Sequence, residues 1–185
     1  LGKEAIKTIG KPKTAAPVSA AAIRQALTPE VIAQIGRPII LAELPARGVA
    51  AALVQTGENH DVRTYATQEG ITMSLRQGML IATRGLGNDL ISADVAGPLQ
   101  AITSRGAVTK ATRLHRYVDG ENQTVLRSFH CEYSWPKPTR VIEACYTTDM
   151  QIENLYALDS AADIINSRQW INPESGSIHI ETIRK

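Results

Sequence analysis

The two cysteines of the chain stand at equal distances from a turn sequence, and this spacing constrains the fold more than any other feature. Cys131 and Cys145 each lie seven residues from Pro138, the centre of Lys137-Pro138-Thr139. If this turn closes an antiparallel hairpin, the cysteines face each other with Cα atoms about 4.5 to 5.5 Å apart, within reach of a disulfide. The spacing therefore predicts a disulfide-closed hairpin formed in an oxidising compartment, in a bacterium the periplasm. Two reduced, buried thiols are the alternative.

Further strand and turn patterns follow one another after about residue 37. Ile71, Met73 and Leu75 alternate with polar residues, and Gln77-Gly78 separates them from a second apolar run over 79–83. Asp119-Gly120 separates two longer runs in the same way, and more strands are predicted near 152–158, 164–170 and 177–183. Consecutive hairpins predict a mainly β fold, an antiparallel meander that closes into a barrel or folds into a sandwich.

One or two short N-terminal helices are predicted before the strands. Ser19 can cap a helix that extends to Leu27, and Thr28-Pro29-Glu30 can begin a second helix that ends at Gly36. Residues 1–17, with four lysines and two prolines, have the composition of a flexible tether, or of a frayed terminus. Residues 18–185 contain no stretch of linker composition, so they are predicted to form a single β-rich domain, monomeric or weakly associating.

Composition and motifs argue against several classes of function. The 20 basic and 18 acidic residues are spread along the chain and give a formal charge of +2, which provides no basic face for nucleic acid. The four histidines lack the spacing of a metal site, and nucleotide-binding and nucleophile-elbow sequences are missing. No apolar run approaches the roughly 20 residues of a membrane-spanning helix. We therefore expect no nucleic acid partner, metal or cofactor.

A glycine-rich turn over residues 83–94 contains the most distinctive polar residues. Gly85 and Gly87 can adopt positive φ, and Asp89 and Asp94 offer partners to the guanidinium of Arg84. A structural turn with an ion pair and a functional loop are both consistent with this pattern.

Together with several other motifs, this turn resembles the YjbF/GfcB family of bacterial outer-membrane lipoproteins, which are encoded with exopolysaccharide and group 4 capsule export systems. The other motifs are Pro38-Ile39-Ile40-Leu41, Glu43, Glu143-Ala144-Cys145 and Ser167-Arg168-Gln169-Trp170-Ile171-x-Pro173-x-x-Gly176. The similarity extends from about residue 37 to residue 183. The resemblance implies a non-enzymatic accessory of polysaccharide export at the periplasmic face of the outer membrane, attached only through a lipidated cysteine upstream of Leu1.

A binding surface is predicted from the glycine-rich turn together with the motif from Ser167 to Gly176, which we call the tail motif. Its candidate residues are Arg84, Asp89, Asp94, Arg168, Gln169 and Trp170. An exposed indole beside Arg and Gln can stack on a sugar ring while the polar groups reach hydroxyls. The expected partners are the polysaccharide, proteins of the export system, or both. A buried Trp170 that fastens the last strands is the alternative, whereas Trp135, beside two prolines, is expected to face solvent.

Two other classes of function stay open from the sequence. Glu43, Asp89, Asp94 and Glu143 offer acids that could flank a groove for glycan trimming, although a salt bridge from Glu43 to Arg47 is the simpler role. The second is a structural plug or chaperone for an outer-membrane barrel.

Overall fold

A computed structural model describes residues 18–185, which form twelve β-strands, three α-helices and one short 3-10 helix. The predicted tether over residues 1–17 lies outside these residues. The helices are α1 (Ala20–Ala26), α2 (Pro29–Ile35) and α3 (Ala96–Thr103), and the 3-10 helix spans Pro45–Arg47. The strands are β1 (Ile39–Leu44), β2 (Val49–Asn59), β3 (Val62–Ala66), β4 (Thr72–Arg76), β5 (Met79–Arg84), β6 (Leu90–Asp94), β7 (Lys110–Val118), β8 (Thr124–Lys137), β9 (Arg140–Tyr146), β10 (Gln151–Leu158), β11 (Ile164–Asn172) and β12 (Gly176–Arg184).

All twelve strands belong to one antiparallel sheet, and its order is β5-β4-β3-β2-β1-β12-β11-β10-β9-β8-β7-β6. Neighbours in the sheet are neighbours in the chain except at the centre, where β1 pairs with β12. The two edge strands, β5 and β6, contact each other, so the sheet curls into a nearly closed barrel. The predicted mainly β meander, with closure into a barrel, is confirmed.

The hairpin that carries the cysteines has the predicted register. Cys131 faces Cys145, and Lys137 faces Arg140 across the turn. The two sulfur atoms form a disulfide, and the Cα atoms are 4.0 Å apart, slightly closer than expected from strand geometry. The predicted disulfide is therefore confirmed, and it joins β8 to β9 on the face that points into the barrel.

The β4–β5 hairpin also turns where the sequence predicts. Gln77 and Gly78 both have positive φ, at 48° and 86°, the combination that a two-residue hairpin of type I′ requires. A Cβ on Gly78 would lie 2.6 Å from the Cβ of Ile164. Glycine is therefore needed here for its backbone conformation and for the close approach of β11.

The N-terminal helices begin and end as predicted, whereas α3 was not predicted. Ser19 and Thr28 accept the hydrogen bonds of N-caps, and Gly36 ends α2 in the left-handed conformation. Helix α3 packs against β7 and β8, and Pro98 lies in its buried face. Among residues 18–185, no helix has the length and apolar character that crossing a membrane would require.

The barrel interior contains the alternating inward residues of the strands. In β8, Phe129, Cys131 and Tyr133 are buried while His130 and Glu132 are exposed, as strand alternation requires. Most of the core is aliphatic, but polar side chains occupy inward positions on β7, β9 and β10. Several of these polar side chains contact each other inside the barrel.

Candidate functional site

The glycine-rich turn joins β5 to β6 and is organised around the carboxylate of Asp89. Asp89 Oδ1 accepts hydrogen bonds from Thr83 Oγ1 at 2.8 Å and from the Leu86 N–H at 3.2 Å, while Oδ2 accepts from the Gly85 N–H at 3.0 Å. Thr83 Oγ1 accepts in turn from the Leu90 N–H at 3.0 Å. Each contact of the carboxylate spans at most six residues, so the turn is built by local partners.

Arg84 connects the two edge strands at the point where the barrel closes. Its guanidinium donates to the carbonyls of Leu90 at 3.1 Å and Ile91 at 3.2 Å, both on β6. The expected ion pair of Arg84 with Asp89 or Asp94 is wrong, because the guanidinium points toward carbonyls and the carboxylates accept from other groups. Asp94 Oδ1 accepts from the Ala96 N–H at 3.0 Å, at the start of α3. All three residues thus have structural partners, and their predicted role in binding stays a prediction.

Glu43 and Arg47 do not form the expected salt bridge. Glu43 points outward from β1, with Oε2 4.0 Å from His179 Nδ1. Arg47 is the last residue of the 3-10 helix, and its guanidinium donates to the Leu86 carbonyl at 2.5 Å and to Ser175 Oγ at 3.1 Å. The prediction is wrong because the turn between β1 and β2 separates the two side chains.

A cluster of polar side chains lies buried inside the barrel and centres on Glu143 of β9. Glu143 Oε2 accepts from Arg113 Nη1 at 2.8 Å, Asn154 Nδ2 at 2.7 Å and the Tyr156 hydroxyl at 2.7 Å. Oε1 accepts from the Tyr133 hydroxyl at 2.5 Å. The side chains of Arg113 and Glu143 are 0% exposed. The cluster therefore joins β7, β8, β9 and β10 through one carboxylate.

Glu143 and Arg113 hold each other in their charged forms. Burial alone would raise the pKa of Glu143, but the charge of Arg113 and the hydrogen bonds from Tyr133, Tyr156 and Asn154 outweigh it and hold that pKa below its usual range. Burial would lower the pKa of Arg113, and the carboxylate of Glu143 more than offsets this. The result is a closed ion pair with hydrogen-bonded phenols around it.

His115 extends the cluster but is held neutral. Burial, and then the charge of Arg113, hold its pKa well below the usual range. Its Nε2 accepts from Arg113 Nε at 2.8 Å, which requires a neutral imidazole. The ring also stacks on Trp170, with centroids 5.5 Å apart.

Some side chains of the tail motif lie in the interior of the barrel, and others lie on its surface. Trp170 is 8% exposed and packs edge-to-face on Tyr117 and Phe129, so the predicted alternative of a buried indole describes its position. Gln169 is also buried. It crosses the barrel, where Oε1 accepts from the Leu80 N–H at 2.8 Å and Nε2 donates to the Gly78 carbonyl at 3.0 Å. An irregular register between Trp170 and Asn172 accompanies this burial of successive side chains.

Arg168 is the member of this segment that reaches the outer surface. It is half-exposed, and Nη2 donates to Glu153 Oε1 at 2.7 Å. Trp135, which was expected to face solvent, is half-buried, with its ring 6.5 Å from that of Tyr133 and its Nε1 atom buried. That expectation is wrong because the indole folds back onto the core.

Potential metal ligands in residues 18–185 come together at one place, formed by Cys131, Glu143 and Cys145. The two sulfur atoms are bonded to each other, and both oxygens of Glu143 accept hydrogen bonds. These atoms are therefore not available as ligands in the oxidised protein.

The four carboxylates considered for glycan trimming each have other partners in the structure. Glu143 has no exposed surface, so it cannot touch a polymer outside the barrel. Asp89 and Asp94 accept backbone N–H groups in and after the turn, and Glu43 lies beside His179.

An open groove of about 440 Å³ crosses the outward face of β9–β12. Ile142 and Leu155 form part of its floor, and Arg140, Arg168 and His179 are among the polar residues that line it. Sequence reasoning identified Arg168 alone among these. The residues of the groove come from five strands, β8 to β12, although the outward positions follow from strand alternation once the strands are known.

Fold and sites together define a class of protein, an antiparallel barrel with an internally sealed polar cluster and with further polar residues on its outer face. The chain belongs to the YjbF family, described as "Group 4 capsule polysaccharide lipoprotein gfcB, YjbF", which matches residues 13–183. It is also similar in structure to the hypothetical lipoprotein YmcC from Escherichia coli K12. The TM-score is 0.71 at 14% identity, over 90% of this chain and 93% of that one. A search of curated proteins found no match.

Proposed function

We propose that this protein is a non-enzymatic accessory of capsule or exopolysaccharide export. It acts at the periplasmic face of the outer membrane, held there by a lipidated cysteine, and binds the polysaccharide or proteins of the export machinery. Membership of a family of capsule polysaccharide lipoproteins supports the pathway. The disulfide between Cys131 and Cys145 supports an oxidising compartment.

The state of Glu143 is the observation that carries the non-enzymatic part of the proposal. Glu143 belongs to one of the motifs that resemble the YjbF family, and its surroundings shift its pKa. A shifted pKa often marks a catalytic group. Its oxygens nevertheless accept hydrogen bonds from four side chains, and it is fully buried. A carboxylate so enclosed stabilises the barrel and has no route to a substrate, which supports action through binding at the outer surface.

Complementation of a strain that lacks the gene tests this proposal. We expect loss of surface polysaccharide in that strain and full restoration by the wild-type gene. The Glu43→Gln variant should restore export as well, because this half-exposed acid has no chemical step to perform. Surface polysaccharide is measured by immunoblot or by staining of intact cells.

Two outcomes would contradict the proposal. One is normal export without the gene. The other is loss of export by a Glu43→Gln variant whose unfolding midpoint and abundance match the wild type, since this would indicate chemistry. Cross-linking in the envelope followed by mass spectrometry then identifies what the domain contacts.

A further inference from the structure

We infer that the groove across the outward face of β9–β12 is a binding site for an acidic glycan, in which the arginines of the groove hold the carboxylates of the sugars. The inference rests on the proposed function, and it names the surface and the chemical class of ligand that the function requires.

The charge of the groove is only partly neutralised. Arg140 is exposed and forms no side-chain ion pair among residues 18–185. Arg168 pairs with Glu153 through Nη2, but its Nε is buried and donates to no partner in this part of the chain. The Arg168 side chain is nevertheless half-exposed, so the other N–H groups of its guanidinium can donate to the acceptor oxygens of a ligand in the groove.

Arginine is suited to this ligand because its guanidinium binds carboxylate with two parallel hydrogen bonds. Arg140 begins β9 and Arg168 lies in β11, with β10 between them in the sheet. Two guanidiniums on alternate strands present repeated positive charge across the groove. A polymer with repeated acidic units matches this arrangement better than a single small anion does.

The floor of the groove favours a sugar ring over a bare anion. Ile142 and Leu155 are half-buried and aliphatic, and such surfaces bury the C–H face of a pyranose. The exposed amide of Asn166 lies at the same groove and can bond hydroxyls. The volume of about 440 Å³ falls in the range of about 300 to 1,000 Å³ typical of small-ligand sites.

Calorimetric titration of the protein tests the inference. The probe is hexagalacturonic acid, and the matched neutral probe is maltohexaose. We expect the acidic oligosaccharide to bind at least about tenfold more tightly, and we expect this preference to fall as salt screens the charges. Poly-glutamate, as a third probe, distinguishes a sugar site from a site for acidic proteins.

Variants assign the binding to this groove. Arg140→Gln with Arg168→Gln should weaken binding of hexagalacturonic acid by at least about tenfold, since two charge-assisted contacts are lost. Arg116→Gln is the matched control, because Arg116 is exposed on β7, a strand that contributes nothing to the groove. It should bind as the wild type does. Unfolding midpoints of all three proteins verify that each is folded.

The inference would be overturned by equal binding of the acidic and neutral probes, by no binding of either, by tighter binding of poly-glutamate than of the oligosaccharide, or by equal losses in the double variant and the control. These results leave the proposed function standing if the gene is still needed for export. If the gene proves dispensable while the acidic probe binds the groove, the proposed function fails and the binding site remains.

Discussion

Two carboxylates organise this molecule, and they do so over very different distances in the sequence. Asp89 gathers Thr83, Gly85 and Leu86, all within six residues of it. Glu143 gathers Arg113, Tyr133, Asn154 and Tyr156, which lie ten to thirty residues away. Asp89 shapes one turn, where the edge strands β5 and β6 meet. Glu143 connects four strands of the barrel.

Similar hydrogen-bonding patterns around Asp89 and Glu143 therefore have unequal structural consequences. A carboxylate in a partly exposed turn can exchange its partners for water, so its contribution is modest. A carboxylate in the interior has no such exchange, and removal of its charge leaves Arg113 buried and uncompensated.

Glu143→Gln should lower the free energy of unfolding by about 3 to 5 kcal/mol, because it leaves a buried guanidinium without its counter-charge. Urea denaturation measures the change. Arg113→Met combined with Glu143→Gln is the control, and it should recover part of the loss because no buried charge remains. A loss below about 1 kcal/mol for the single variant would remove the proposed distinction between the two carboxylates.

Loss of the disulfide should lower the free energy of unfolding by about 3 kcal/mol, since the bond closes a short loop in the unfolded chain. Urea denaturation with and without reductant measures this effect. A Cys131→Ala, Cys145→Ala double variant should show the same loss and no response to reductant. If reductant destabilises the double variant equally, the effect does not come from this bond.

Asp89→Ala should lower the free energy of unfolding by about 2 kcal/mol, because three hydrogen bonds of a half-buried carboxylate are lost together. Asp94→Ala is the matched variant next to the same turn, and it should cost about 1 kcal/mol or less because one backbone contact is lost. Thermal or urea unfolding compares the two. Equal losses would mean that Asp89 is not the organising group of the turn.

Acidification should destabilise the barrel through His115. The folded state holds the pKa of His115 well below 6.5, so the unfolded chain binds a proton that the folded protein does not. Stability therefore falls as the pH drops below about 6.5, by up to about 1.4 kcal/mol per pH unit. His115→Gln removes this group and should flatten the profile between about pH 6.5 and 5.5. An unchanged slope in the variant would assign the dependence to other groups.

The contrast between the carboxylates also explains what the sequence could reveal. Turn positions and the cysteine register depend on neighbours in the chain, and both were predictable. The partners of Arg84 were not, although the turn was, because its carbonyl partners lie across a seam that only the closed barrel creates. Local composition indicates which residues a turn contains and says less about where their side chains point.

The interior cluster was missed for the same reason. Arg113 and His115 alternate with outward residues in β7, and a charged residue at an inward position is a signal that strand alternation makes visible. Its partner on β9 cannot be identified without the sheet order. Helix α3 had weaker signals, an aspartate before its start and Pro98 in its first turn, in a region where strand patterns dominate.

The pairing of β1 with β12 has a consequence for biogenesis. The first strand obtains its second neighbour from the last one, so the sheet stays split until the C-terminal strand is available to fold. Until then β1 presents an unsatisfied edge, a known hazard for aggregation. Closure of the sheet is therefore a late step that requires a slow search for a very distant contact.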